Sequence, residues 1–214
     1  MIKAVIFDLD GVIVSTDEFH YLGWQKLADE EGIAFNRTIN ERLRGVSRLE
    51  SLEIILEKAE KQYHEEEKKA MADRKNRYYR ELLNTLSPAD ILPGAMELVI
   101  RLKSAGIKVA IGSSSKNTPF ILEKIGLAET FDAVSDGNQI KRSKPDPEVF
   151  LLAAAKMQIS PEYCLVVEDA DAGVEAALNA GMKCLAVGSA YSNAGAHLRA
   201  NSLDEISVED LYKI

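Results

Sequence analysis

The sequence predicts an α/β fold, a doubly wound parallel sheet with a small α-helical insert placed soon after the first strand. Three observations carry this expectation. Ile2 to Phe7 is an apolar run that ends in Asp8, Asp10 and Gly11; the following segment shifts to helical spacing as far as Pro93; and helices and strands alternate from Pro93-Gly94 onward. The expected division is a core of residues 1–14 and 93–214 and a helical cap of residues 15–92, with hinge linkers at about 14–17 and 87–92.

In the insert, Phe19, Leu22 and Leu27 predict a helix over 17–32 that ends near Gly32. Leu52, Ile55, Leu56 and Ala59 form an i, i+3, i+4, i+7 stripe, and Tyr78, Leu82, Leu83 and Leu86 mark a later helix. Glu57 to Lys69, with Glu65 to Glu67 followed by Lys68 and Lys69, reads as a solvated helix surface. Beyond Gly94 the pattern predicts helices over 95–105, 118–125, 147–156 and 172–180, and strands over 108–112, 132–135, 164–168 and 183–187.

The chain of 214 residues is long enough for one good core plus a small second module, and 46% hydrophobic residues is ordinary for a globular protein. A net charge of −8 argues against general affinity for nucleic acid or an anionic membrane. Attraction for an anionic ligand then has to be local. Cys164 and Cys184 each start an apolar run and read as buried thiols, which fits a reducing cytoplasm. The N-terminal apolar run is too short for a signal-peptide core, no segment has membrane-span length, and nothing in the sequence demands more than a monomer.

Four strand ends carry chemistry. A strand that runs into Asp8 and Asp10 delivers two carboxylates, spaced i, i+2, to the edge where open parallel sheets bind ligands. Val109 to Ile111 runs into Gly112-Ser113-Ser114-Ser115-Lys116-Asn117, whose hydroxyls and free N–H groups suit a phosphate. Lys144 stands in the proline-stiffened segment Lys144-Pro145-Asp146-Pro147 as a fixed positive charge. Cys164 to Val167 ends in Glu168 and Asp169, ligands of the kind that hard cations take. A nucleophile pair, a phosphate loop, a lysine and a metal pair are the parts that phosphoryl transfer requires.

Asp8-Leu9-Asp10-Gly11, Ser113, Lys144 and Glu168-Asp169 together resemble the four motifs of the haloacid dehalogenase superfamily, over nearly the whole chain. Within it, Thr16 to His20, Trp24, Gly45-Val46-Ser47-Arg48, Arg74-Lys75-Asn76, Ser87-Pro88-Ala89-Asp90 and Ser113 to Asn117 are similar to the hexose phosphomutase branch. The resemblance implies a Rossmann-like core and an Mg²⁺-dependent phosphomutase that interconverts β-glucose 1-phosphate and glucose 6-phosphate through an aspartyl phosphate on Asp8 and a sugar bisphosphate. The implied metal ligands are Asp8, the carbonyl of Asp10, Glu168 and Asp169; Ser113 and Lys144 bind the moving phosphoryl group, and Asp10 is the acid and base. A dehalogenase lacks that second acid.

Arg48 with Ser115, Lys116 and Asn117 is expected to hold the second phosphate, and Ser114 belongs to the same loop. His20 is expected to orient Asp10, Lys75 to meet sugar hydroxyls, and Trp24 with Gly45, Val46 and Ser47 to shape the cap side of the pocket. Ser15 departs from the family pattern, which commonly has Asp, and is expected to cap the following helix. The nearest alternative is a phosphatase for sugar phosphates or other small esters, for which Ser113 alone of the loop suffices. A non-catalytic phosphate-binding module is the more distant one.

Overall fold

A computed structural model describes residues 1–43, 46–211 and 213–214. In chain order β1 (Ala4–Phe7) precedes four helices, α1 (Asp17–Glu31), α2 (Arg37–Glu41), α3 (Arg48–Leu56) and α4 (Glu65–Leu83). Then come α5 (Ala95–Ser104), β2 (Lys108–Gly112), α6 (Thr118–Lys124), β3 (Ala133–Ser135), α7 (Glu148–Met157) and β4 (Cys164–Glu168). The chain finishes with α8 (Asp171–Asn179), β5 (Lys183–Val187), β6 (Leu198–Ala200) and α9 (Val208–Leu211). It divides into two compact units, Met1–Ser15 with Ser87–Ile214, and Thr16–Leu86.

The first unit is a parallel sheet of order β3-β2-β1-β4-β5-β6, the doubly wound arrangement. The strand order reverses around β1, which pairs with β2 on one side and β4 on the other. Asp8, Ser113 and Asp169 therefore all follow the carboxyl ends of three adjacent strands. Ala4, Ile6, Cys164, Val166 and Cys184 pack with Val149, Phe150, Ala153 and Met157 of α7 and with Val174 and Ala177 of α8. Val5, Phe7, Val109, Ile111 and Leu165 alternate to the other face and are buried too. Burial on both faces is why these strands read as continuous apolar runs. Residues 87–92 belong with the sheet, because Val14 bridges Ile91 and the Leu92 N–H donates to the Ile13 carbonyl at 2.9 Å.

The second unit packs Trp24, Leu27 and Ala28 of α1 with Leu52 and Ile55 of α3 and Met71 and Ala72 of α4. Gly23 lets α4 come close: a Cβ there would stand 3.3 Å from Lys75 Cε and 3.6 Å from the Lys75 carbonyl oxygen.

Several local expectations are corrected. Leu22 lies on the exposed side of α1, at 42% exposure. The inward face of α4 is Met71, Ala72, Lys75, Tyr79 and Leu83, whereas the Tyr78 hydroxyl reaches Glu30. The charged Lys75 interrupts that period in the sequence. Residues 57–64 lie between α3 and α4 instead of in a helix, and Lys68 at the start of α4 pairs with Glu53 at 2.7 Å. Helix α2 and strand β6 are additions; five residues around an Asn36 cap and three residues at a sheet edge are too short for periodicity to register. No described helix is long and apolar enough to cross a membrane.

Strands β4 and β5 are neighbours, but Cys184 pairs with Val166, so the two thiols sit out of register. Both are buried, and burial pushes Cys164 up to about 11 and Cys184 up to about 12. Only the thiolate alkylates. Native protein at pH 8 is therefore expected to resist iodoacetamide while the guanidinium-unfolded chain labels promptly, as read by intact mass. Reactivity should rise with pH, and prompt native labelling at either cysteine would contradict their burial.

Candidate active site

The site in the sheet unit is built by short turns after β1, β2 and β4. Asp8 continues from β1, its N–H donating to the Val167 carbonyl at 2.9 Å, which ties it to β4. Gly11 then turns the chain with φ +82°, and a Cβ on it would fall 2.2 Å from Asp169 Oδ2. Only glycine meets both demands. The Asp169 carboxylate thus lies against the backbone that carries Asp10. Gly173 does the same for Glu168, whose Oε1 is 1.9 Å from where a Cβ would stand. The Ala170 N–H donates to the other Glu168 oxygen at 2.8 Å.

Lys144 closes the group. Its Nζ lies 2.6 Å from Asp8 Oδ1 and also hydrogen-bonds Glu168 Oε1. Lys144 is 4% exposed, Asp8 7% and Glu168 1%, so these charges meet away from water. Burial by itself would favour loss of the lysine proton. Asp8 and Glu168 outweigh it and hold the ammonium above the ordinary lysine range. The segment that carries Lys144 is fixed from several sides: Asp146 accepts from the Glu148 N–H at 3.0 Å, Glu148 accepts from the Arg142 N–H at 2.9 Å, and Asn179 Nδ2 donates to the Pro145 carbonyl at 3.3 Å.

Ser113 is buried, its N–H donating to the Ser135 carbonyl at 3.0 Å. Its Oγ accepts from the Ser115 N–H at 3.2 Å, which leaves the hydroxyl proton for another acceptor. Ser115 Oγ accepts from the Asn117 N–H at 3.2 Å, so the loop is folded on itself. Ser114 Oγ is buried without a hydrogen-bond partner, Asn117 is buried, and Lys116 is exposed.

Among the described residues, no group of three or more His, Cys, Asp or Glu side chains is arranged to hold a metal ion. In the expected set of Asp8, Asp10, Glu168 and Asp169, the Lys144 ammonium bridges the carboxylates of Asp8 and Glu168. The chemistry of that set still fits a hard cation. Every donor is oxygen, and Gly11 and Gly173 leave room for Asp169 and Glu168.

In the helical unit, Ser47 caps α3: its Oγ accepts from the Glu50 N–H at 3.3 Å while Glu50 accepts from the Ser47 N–H at 2.8 Å. Ser47 is therefore engaged by its own helix, and that box fixes Arg48 as the first residue of α3. Lys75, 2% exposed, lies 2.8 Å from His20 Nδ1 and over the rings of Trp24 and Tyr79, each 4.7 Å away. Desolvation, and then the charges of Lys75 and Arg48, hold His20 well below the usual histidine range. His20 is neutral, so Nδ1 accepts from the ammonium. Tyr79, absent from the sequence reading, packs against His20 with ring centroids 4.1 Å apart and planes tilted by 35°, and shares a 2.8 Å hydrogen bond with Thr16. Its signal was the spacing of four through Met71, Lys75, Tyr79 and Leu83. Thr16, not Ser15, stands at the N-cap position of α1, and its side chain makes no capping hydrogen bond there. Gly45 lies outside the described residues, and Val46 is half-buried.

The family model for haloacid dehalogenase-like hydrolases matches residues 2–181, and the chain belongs to that family. It is 44% identical over 213 residues to the β-phosphoglucomutase of Bacillus subtilis, covering 99% of this chain and 94% of the relative. A phosphorylated carbohydrates phosphatase of Thermotoga maritima is 34% identical over 85% of this chain and 82% of its own. Among solved structures, β-phosphoglucomutase from Clostridium difficile is similar with a TM-score of 0.93 and 41% identity, covering 100% of this chain and 96% of that one.

Proposed function

We propose that this protein is an Mg²⁺-dependent phosphomutase that interconverts β-glucose 1-phosphate and glucose 6-phosphate through a phosphorylated Asp8 and β-glucose 1,6-bisphosphate. The observation that carries the reading is the buried Lys144 ammonium 2.6 Å from Asp8, at the strand-order reversal of a family sheet. Similarity over the full chain to β-phosphoglucomutases supports the choice of sugar.

An Asp8 oxygen attacks phosphorus as the bond from phosphorus to the sugar oxygen breaks. Asp10 gives its proton to that leaving oxygen. With the bisphosphate as the phosphoryl source this releases glucose 6-phosphate; the 6-hydroxyl of an incoming β-glucose 1-phosphate then attacks the aspartyl phosphate as the bond from Asp8 to phosphorus breaks, and Asp10 takes the hydroxyl proton back, so bisphosphate and enzyme are both regenerated. Lys144 has three N–H donors and spends two on Asp8 and Glu168; the third is assigned to a phosphoryl oxygen, with the Ser113 hydroxyl on another. Mg²⁺, with Asp8, the Asp10 carbonyl, Glu168 and Asp169 as its assigned ligands, supplies positive charge against the approach of one anion to another.

Ser114 to Asn117 are assigned to the phosphate that is not reacting. In the helical unit Arg48 is assigned a phosphate, because its guanidinium suits bidentate contact. Val46, Ser47, Trp24, His20 and Lys75 are assigned to the sugar side, Lys75 and His20 chiefly by holding one another.

The phosphatase reading is favoured by the similarity to the carbohydrate phosphatase. A panel of β- and α-glucose 1-phosphate, maltose 1-phosphate and trehalose 6-phosphate with a trace of bisphosphate separates the two. Glucose 6-phosphate should accumulate from the β anomer, whereas free phosphate from all of them would favour hydrolysis. Asp10→Asn is expected to lower mutase flux about a hundredfold or more, because the sugar oxygen leaves poorly without a proton. Phosphoryl transfer from acetyl phosphate, whose leaving group needs none, should fall much less. Equal losses with both donors would remove Asp10 from the acid role.

A further inference from the structure

Strand β3 ends at Ser135, and the four residues that follow, Asp136-Gly137-Asn138-Gln139, brace the Ser113–Asn117 loop. The Gly137 N–H donates to the Ser115 carbonyl at 3.2 Å. Asn138 Nδ2 donates to the Lys116 carbonyl at 3.0 Å. Gly137 is in close contact with the same loop: a Cβ there would stand 2.2 Å from the Ser114 carbonyl oxygen and 3.0 Å from the Lys116 nitrogen. Both of those atoms are backbone, so no side-chain rotation relieves the clash.

The brace is itself held. The Asp136 carboxylate, in a residue 4% exposed, accepts from the Asn138 N–H at 2.7 Å, an Asx turn that sets the direction of the Asn138 side chain. The Gln139 amide oxygen accepts from the Asp136 N–H at 3.3 Å and from Lys156 Nζ of α7 at 2.7 Å. Lys156 also hydrogen-bonds the Val134 carbonyl in β3. The planar peptide between Lys116 and Asn117 is consequently gripped at both ends, its carbonyl by Asn138 and its N–H by Ser115 Oγ at 3.2 Å. Lys116 is exposed, and its stem leaves from this fixed plane.

We propose that Asn138, seated by Gly137, is a positioning residue that sets the Ser114–Lys116 backbone and so aims Lys116 at the phosphate of the sugar that is not reacting. The proposal rests on the assignment of Ser113 to Asn117 as the phosphate loop. Ser114 Oγ, buried in that loop without a hydrogen-bond partner, is an independent mark of a polar ligand there. Asn138 touches no reacting atom in this account. Its effect is confined to ligands that carry a second anchor, and acetyl phosphate has none.

The test compares wild type with Asn138→Ala, a change at an exposed position, and with Gly137→Ala. One readout is the Kd of glucose 6-phosphate, titrated with beryllium fluoride, a phosphoryl mimic, occupying the reacting site at Asp8, so that the sugar binds through its non-reacting phosphate. The other is acetyl phosphate turnover without sugar. Asn138→Ala is expected to raise the Kd about 3- to 10-fold, the effect of one hydrogen bond, while acetyl phosphate turnover stays within about twofold. Gly137→Ala should raise the Kd further. An unchanged Kd in Asn138→Ala overturns the proposal, and so does a rise in Kd matched by an equal loss of acetyl phosphate turnover, which would make the turn a support of the whole fold. A wild type that binds glucose 6-phosphate yet makes no bisphosphate fails the mutase reading alone, and the Kd comparison still decides the role of Asn138.

Discussion

Asp8→Asn is expected to abolish both sugar phosphate conversion and acetyl phosphate hydrolysis, with a loss on the order of a thousandfold or more, as removal of a covalent nucleophile produces elsewhere. The amide is a poor nucleophile, and it removes the negative charge that faces Lys144 at 2.6 Å. The ammonium would keep its ion pair with Glu168. Acid-stable labelling of the protein by phosphoryl donors should stay absent, and an acyl phosphate should not be trapped by hydroxylamine. Retention of more than about a tenth of wild-type turnover would contradict a nucleophilic Asp8.

The second large effect belongs to Lys144. Lys144→Met keeps the length of the side chain and removes its charge, leaving Asp8 and Glu168 buried without the ammonium between them. Breaking a buried ion pair from one side typically costs about 3–5 kcal/mol, because the remaining charge is left uncompensated. Glu168 is already pushed up by burial, with Lys144 opposing that push, so loss of the ammonium drives its carboxyl further toward the neutral form. Urea unfolding at pH 7 should show this loss of stability alongside the loss of turnover. Added Mg²⁺ should restore part of the stability and none of the phosphoryl contact. A stability change below about 1 kcal/mol would show that the buried triad contributes little to folding.

The alternating part of the fold was legible because each strand buried on both faces is a compact apolar run that ends in turn residues, as in Val109 to Ile111 and Leu165 to Val167. The same ends carry Asp8, Ser113 and Glu168, and parallel pairing in register brings them to one edge of the sheet. The helical unit was less legible. Its inward face on α4 contains Lys75, and a charged residue at a core position hides the period that would have located Tyr79. Contacts between distant segments leave no trace in a single sequence. Asn138 reaches the Lys116 carbonyl across 22 residues, and Lys144 reaches Asp8 across 136. The lysine was found through its proline-stiffened surroundings, whereas Asn138, in a loop of ordinary turn residues, had no such mark.

Whether the phosphoryl group on Asp8 passes to a sugar in preference to water is read from a single partition measurement. Asp8 is phosphorylated with ³²P-labelled acetyl phosphate in Mg²⁺ buffer, the donor is removed, and unlabelled β-glucose 1-phosphate is added in a single turnover. The mutase account predicts that most of the label appears in glucose bisphosphate and glucose 6-phosphate, with little in inorganic phosphate. Label released to inorganic phosphate at the same rate and extent with or without the sugar would contradict it and identify a phosphatase.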